Sequence, residues 1–250
     1  MSFGDDLDDV ESRSKRCIEF LLLIGKMKTN KRTGWVDNKV NLPESIADHS
    51  YRLSIAALLA APYFKNTSPE RCALIGLAHD IAECITGDIV PHDPMGKKAK
   101  QQLEQKAMQQ LQKGLELHSQ QNVFHELWQE YETQTTNEGI LCKDLDKIEM
   151  AIQAFEYEQV QPHLDLSCFY ASVKDKLNTE EISSWFKELM RKRTEFRLQK
   201  PLPGKYVRLF QSINTSSSII FGVGFLFGIS LSLYITRGIG GLNLRNFIKH

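Results

Sequence analysis

Apolar residues along this 250-residue chain recur mainly at three- and four-residue intervals, the spacing that lines one face of an α-helix. The pattern predicts a first helix over about 11–28, with Ile18, Leu21, Leu22 and Gly25 on its buried side. "KTNKRTGWVDNKVNLPE" follows as an irregular loop, broken by Gly34 and Pro43. "ESIADHSYRLSIAALLAAPYF" then reads as a strong helix ending near Pro62. Ser68 caps the next helix and Pro69 takes its first position. Within it Leu74, Leu77, Ile81 and Ile85 repeat at helical spacing, as far as residue 88. Further helices are predicted near 96–118, 121–133, 137–161 and 179–197. No run alternates polar and apolar residues long enough to argue for a sheet, so the expected fold class is all-α.

The character of the chain changes at Pro201. "KPLPGKYVRLFQSINTSSS" reads as a linker, and residues 219–235 form a 17-residue run without a charge, the lower limit for a membrane span. Gly224 and Gly228 in that run form a G-x-x-x-G pair, which permits close helix contact in a bilayer. The expectation is an apolar C-terminal helix outside the bundle, anchoring the protein to an intracellular membrane. The N-terminal stretch "MSFGDDLDDVESRSKR" is acidic and lacks an apolar core, so no secretory signal is expected and the folded domain is placed in the cytoplasm. The expected organisation is an acidic lead-in (1–11), one domain (12–198), a linker (199–218), the anchor (219–235) and a short tail (236–250).

Lys plus Arg and Asp plus Glu both number 31, so the formal net charge is zero. A bulk electrostatic affinity for a nucleic-acid polymer is therefore absent, and an anionic ligand must be held by local groups. The five cysteines are odd in number and scattered, with no C-x-x-C pair. They point to reduced thiols rather than a disulfide frame or a zinc knuckle.

The chemistry concentrates in "LIGLAHDIAECITGD", residues 74–88, where His79, Asp80, Glu83 and Asp88 interrupt an apolar stripe. Burying unpaired charges is costly, so these groups need partners or a cation. Helical spacing puts His79 beside Glu83. His49 lies on the preceding helix in "ADHSYR", and Asp144 and Asp146 lie on a later one in "LCKDLDKIEM". Oxygen donors with neutral imidazoles suit Mn²⁺, Fe²⁺, Co²⁺, Zn²⁺ or Mg²⁺. Taken singly, each residue has a plain structural reading as a core histidine, a helix charge or a turn cap. Periodicity alone leaves Asp144 and Asp146 open, since both flank the apolar stripe. In "KRTGW", Arg32 can fork two hydrogen bonds onto a phosphate, and Trp35 offers a flat face for a sugar or base.

Together "ESIADHSYR", "LAHDIAECITGDIVPHD" and "KDLDKIEMAIQAFEYE" resemble the H…HD…D signature of the HD superfamily of metal-dependent phosphohydrolases, and within it the 5'-deoxynucleotidases. The resemblance covers roughly residues 12–198 and implies an HD-domain helical bundle. It implies His49, His79, Asp80 and Asp146 as metal ligands, the L-D-K-x-E-M match selecting Asp146. Glu83 and Asp88 match acids that line the reaction centre and, with the backbone carbonyl of Ile89, hold a second cation. Arg32 and Trp35 match a substrate-binding Arg-Trp pair that is adjacent in bacterial relatives and is separated here by Thr33 and Gly34. Glu130, in "LWQEYETQ", matches a further pocket acid.

The implied activity is removal of the 5'-phosphate from 2'-deoxynucleoside 5'-monophosphates (dAMP, dCMP, dGMP and dTMP), with Mn²⁺, Co²⁺ or Mg²⁺, by a homodimer. Two other readings are hydrolysis of another nucleotide class and a non-catalytic nucleotide-binding module. Cyclic-dinucleotide enzymes of the superfamily carry HD-I-G-K and G-Y-P, whereas this chain has "HDIAE" and no G-Y-P. Degenerate modules typically lose a ligand, and here all four are present.

Overall fold

The computed structural model describes residues 9–115, 123–199, 219–222 and 234–237. The chain divides into two units, Met1–Thr194 and Glu195–His250. Among the described residues the first unit is helical: α1 (Val10–Ile24), α2 (Thr33–Asp37), α3 (Ile46–Ala60), α4 (Pro69–Ala78), α5 (Glu83–Thr86), α6 (Lys97–Leu115), α7 (Val123–Thr133), α8 (Asn137–Val160) and α9 (Ser167–Val173), with α10 (Glu180–Gln199) crossing the boundary. In this unit a helix stands in each predicted stretch, although the one predicted to reach residue 88 ends at Ala78. The short α2 and α9 fall where none was expected, being too brief for periodicity to register.

Local chemistry sets the helix starts. Ser45 and Asp48 form a reciprocal capping box at α3. Ser68 accepts from the Arg71 amide at α4, ahead of Pro69, and Thr136 accepts from the Gly139 amide at α8. Helices α3 and α4 pack chiefly against each other, and both lie on α8, with α7 and α9 beside it. Leu53, Ile75, Leu141, Leu145 and Ile148 are fully buried at the centre of this main core. A smaller core gathers Met27, Ile46, Ile81, Met108, Leu111 and Trp128.

The expected inner faces of two helices are corrected. On α1, Ile18, Leu21 and Leu22 are exposed, and the stripe of Phe20, Leu23 and Ile24 packs on the smaller core instead. On α4, Leu74 and Leu77 are exposed, as is Ile85 on α5, whereas Cys72, Ile75, Gly76 and Ala78 are buried. The reason is the close approach of α3. A methyl group at Gly76 would lie 2.7 Å from Ser54 Oγ and 3.0 Å from Ser54 Cα, so α3 leaves no room for a side chain at that position, and Cys72, Ile75 and Ala78 make up the rest of the buried face.

The helix expected through residue 88 is also corrected. It ends at Ala78, and the following hydrogen bonds contract to three-residue spacing, Ile81 N to Ala78 O at 3.1 Å and Glu83 N to Asp80 O at 2.9 Å. The short α5 then stops at Gly87, whose φ of 71° favours glycine. His79 and Asp80 thus sit on the tight turn between α4 and α5, and Glu83 opens α5.

In the second unit, Ile219–Gly222 and Tyr234–Arg237 pair as antiparallel strands β1 and β2, with Ile219 opposite Arg237 and Gly222 opposite Tyr234. The apolar helix expected over 219–235 is therefore corrected at both ends. β-Branched and aromatic residues (Ile219, Ile220, Phe221, Tyr234, Ile235, Thr236) favour extended backbone, and Gly222, Gly224 and Gly228 weigh against a helix. Residues 223–233 lie outside the described residues. Among the described residues no helix is long and apolar enough to cross a membrane.

Candidate metal centre

Three elements deliver one cluster. His49 projects from α3, His79 and Asp80 from the turn after α4, and Asp146 from α8. His49 Nε2 lies 3.2 Å from Asp146 Oδ1 and 4.0 Å from Asp80 Oδ2, and His79 Nε2 lies 3.0 Å from Asp80 Oδ2. The two imidazole rings are 5.3 Å apart. Both histidines are buried, and neither Nε2 has a hydrogen-bond partner among the described residues. Their Nδ1 atoms are engaged, that of His79 with the Gly76 carbonyl at 2.8 Å and that of His49 with Glu149. An Nδ1–H that donates leaves the Nε2 lone pair free, which is the arrangement a metal-ligating imidazole requires.

His49, His79 and Asp146 present donor atoms close enough to share one ion. A second grouping, Glu44, His49 and Glu149, is equally close. Its carboxylates are already partnered, Glu44 by the Trp35 indole N–H at 2.8 Å and Glu149 by Arg52 Nε at 2.7 Å. The orphaned nitrogens therefore favour the first grouping, and its donor set fits a divalent transition metal or magnesium.

Charge shifts report how dense the cluster is. Burial acts to raise the pKa of both Asp80 and Asp146, but the neighbouring imidazoles and Arg32 outweigh it and hold both below the usual carboxylate range. Burial and Arg32 push His49 down, yet Glu149 and Asp146 raise it to about 10, so a cation bound at Nε2 would displace a proton from that nitrogen. Glu83 behaves oppositely. It is 3% exposed, its Oε2 has no hydrogen-bond partner among the described residues, and burial with nearby Asp80 and Asp88 raises its pKa well above the carboxylate norm.

The remaining predicted residues divide. Arg32 joins the cluster, its Nη1 donating to Asp80 Oδ2 at 3.2 Å. Asp88 ties that loop in place by accepting from the Thr33 amide at 2.6 Å, while the Thr33 hydroxyl donates to the Asp88 carbonyl at 2.7 Å. The Ile89 carbonyl accepts from Lys100 Nζ at 2.7 Å. Trp35 does not join. It is 2% exposed, and its ring packs against Phe169 and Tyr157 at 4.2 and 5.3 Å, so no face is open for the stacked base expected of it. Asp144 is settled as structural: it accepts from the Asn178 and Thr179 amides at 2.7 and 2.8 Å, just ahead of α10. Glu130 is held by Arg71 and Thr136. Its neighbour Tyr131 instead reaches the cluster, donating to Asp146 Oδ2 at 2.6 Å with its ring 4.8 Å from that of His79.

An HD domain family profile matches residues 24–185. The chain belongs to the HD domain family. Its HD domain is similar to the 5'-deoxynucleotidase HDDC2 of Bos taurus, 40% identical over 177 residues that cover 70% of this chain and 85% of that protein. The human 5'-deoxynucleotidase HDDC2 is 38% identical over 182 residues, covering 72% of this chain and 88% of its own. Among solved structures, a conserved hypothetical protein from Pyrococcus furiosus superposes with a TM-score of 0.58 at 33% identity, covering 70% of this chain and 99% of that one.

Three HD-domain residues near the cluster were not anticipated from sequence: Tyr131, Glu149 and Lys100. Glu149 carried a legible signal, because it stands three residues after Asp146 on the same helical face and a buried carboxylate demands a partner. Tyr131 and Lys100 lie on α7 and α6, and nothing local in the sequence ties them to residues 79–89.

Proposed function

We propose that this HD domain is a metal-dependent 5'-deoxynucleotidase, hydrolysing 2'-deoxynucleoside 5'-monophosphates to deoxynucleoside and phosphate. The observation that carries the reading is the pair of buried, partnerless Nε2 atoms converging with Asp80 and Asp146, beside the equally partnerless Glu83 Oε2. The named activity of the HDDC2 relatives supplies the substrate class. In this reading His49, His79, Asp80 and Asp146 hold a divalent cation, with Mn²⁺, Co²⁺ and Mg²⁺ as the candidates. When bound, the cation supplies Lewis acidity, neutralising phosphoryl charge and lowering the pKa of water.

The protein's own groups do the rest. Arg32 keeps donors available beyond its bond to Asp80 and orients the phosphate. Glu83 carries the proton, since burial beside Asp80 and Asp88 raises its pKa and favours its proton-bearing form. Asp88 fixes the Arg32 loop through Thr33 and, with Glu83 and the Ile89 carbonyl, holds a second cation. Lys100 donates to that same carbonyl, and its ammonium would compete with a second cation there. Trp35 buttresses the Arg32 loop from the core. A homodimer is part of the proposal, supported by exposed apolar residues on α3 and α4, among them Ile55, Leu59, Leu74 and Leu77.

The test is turnover of a panel of deoxy- and ribonucleoside monophosphates, triphosphates and cyclic nucleotides with each cation added to the stripped protein. Phosphate release confined to the deoxynucleoside monophosphates supports the proposal. Preferential cleavage of triphosphates or cyclic nucleotides overturns it.

A further inference from the structure

Glu149 lies outside the proposed ligand set, yet its environment is the most tightly built around the cluster. It is 2% exposed on α8, one turn beyond Asp146. Its Oε2 meets His49 Nδ1, and its Oε1 accepts from Arg52 Nε at 2.7 Å. Arg52 is itself fixed, donating through Nη2 to Gln153 Oε1 at 2.6 Å and through Nη1 to Glu156 Oε2 at 2.7 Å. Four side chains from two helices thus hold one edge of one imidazole.

We propose that Glu149 is a positioning residue for cation binding, locking His49 in the tautomer and orientation that aim Nε2 at the cluster. The proposal rests on the reading of His49 as a ligand. An imidazole in the other tautomer would carry its proton on Nε2 and present no lone pair there. Rotation of the ring about its bond to Cβ would turn Nε2 away from Asp146. A carboxylate acceptor at Nδ1 prevents both, and it makes Nε2 a stronger donor than a neutral acceptor would. His79 shows the contrast, since its Nδ1 faces only the Gly76 carbonyl. Arg52 keeps Glu149 from turning inward to become a ligand itself, because both of its oxygens are already engaged. The two histidines are therefore unequal, with the His49 arm the more strongly donating.

The test compares Glu149→Gln with wild type, both stripped of cation and titrated with Mn²⁺ alone. An amide offers a weaker acceptor and turns its N–H₂ toward either Arg52 or His49. Mn²⁺ affinity is expected to fall about 10- to 100-fold, the usual effect of removing such an outer partner. Turnover at saturating Mn²⁺ is expected to recover most of the wild-type kcat, because no reacting atom is touched. Arg52→Met, which spares the Glu149–His49 contact, is expected to weaken Mn²⁺ binding less. An unchanged Mn²⁺ affinity in Glu149→Gln, with or without a lowered melting temperature, overturns the proposal. If that variant does not fold, nitrogen chemical shifts of His49 in Mg²⁺-loaded wild type decide: a proton on Nδ1 supports it and a proton on Nε2 overturns it. Wild type that binds no cation at all overturns the metal-centre reading itself, whereas wild type that binds Mn²⁺ as tightly as Glu149→Gln overturns this inference alone.

Discussion

Two buried carboxylates in the helical unit are exposed to nearly the same degree, Glu158 at 2% and Glu83 at 3%, and are handled in opposite ways. Both oxygens of Glu158 are used. Arg193 donates to them from Nε and Nη2 at 2.7 and 2.8 Å, the Leu166 amide adds a bond at 3.1 Å, and the guanidinium lies 4.0 Å over the Tyr170 ring. Glu83 feels Arg32 and Lys100 only through space, and its Oε2 has no hydrogen-bond partner among the described residues. The first arrangement joins α8, α9 and α10. The second leaves a buried carboxylate oxygen without a hydrogen bond, the feature on which the proposed role of Glu83 rests. Equal burial therefore says little about role, and the partner list says most of it.

The sharpest way to break this contrast is to remove the groups around Glu83. Asp80→Ala or His79→Ala is expected to lose tightly bound cation and to bring phosphate release to background, with the helical circular-dichroism signal retained. Either variant keeping both metal and wild-type turnover refutes the site.

Next in size is Glu83→Gln, which preserves shape and removes basicity. A lost proton carrier lowers kcat by about 10²- to 10⁴-fold. The stability consequence has the opposite sign. The folded pKa of Glu83 is raised, so its ionisation destabilises the cation-free fold above the ordinary carboxylate range, progressively as pH rises toward that folded pKa. Glu83→Gln is expected to flatten that fall, read as melting temperature against pH. A kcat equal to wild type removes Glu83 from the mechanism.

Arg193→Met acts on the other carboxylate. Leaving Glu158 buried without its counter-charge costs about 3–5 kcal/mol of stability, measured by urea unfolding. The kcat of the folded fraction is expected to stay at the wild-type value. A variant with normal stability and impaired kcat would reverse the assignment of the two residues.

The smallest effect belongs to Lys100→Met. Removing the ammonium from the Ile89 carbonyl frees one atom of the proposed second cation site. A few-fold tighter second Mn²⁺ is the expected outcome, read by calorimetry on the stripped protein. Looser binding of the second ion would show that Lys100 assists the site rather than competing for it.

Much of this was readable before any coordinates. Helical periodicity located α3, α8 and α10 because long amphipathic segments carry many repeats, and the polar residues His79, Asp80, Glu83 and Asp88 within an apolar stripe marked the chemistry, whereas the choice of Asp146 over Asp144 came from the resemblance to the HD superfamily. Periodicity failed at Leu74 and Leu77, which it assigned to the interior, whereas α4 turns Cys72, Ile75 and Gly76 inward and rests Gly76 directly on Ser54. It failed again at 79–82, where a tight turn replaces helix at no visible cost in pattern. Trp35 was ambiguous in principle, since an indole that stacks on a ligand and one that packs on Phe169 look alike in sequence. Residues such as Lys100 and Tyr131 were invisible because only tertiary folding brings them to the 79–89 segment.

The bare hydrogen at Gly76 has a reach beyond its own turn. It sets the separation of the helices that carry the two histidines, and its carbonyl orients the second of them. The position works as a gauge block: any side chain added there would wedge α4 off Ser54 and open the jaws that His49 and His79 form. A residue with no functional group of its own thereby sets how closely α3 and α4 approach beside His49 and His79.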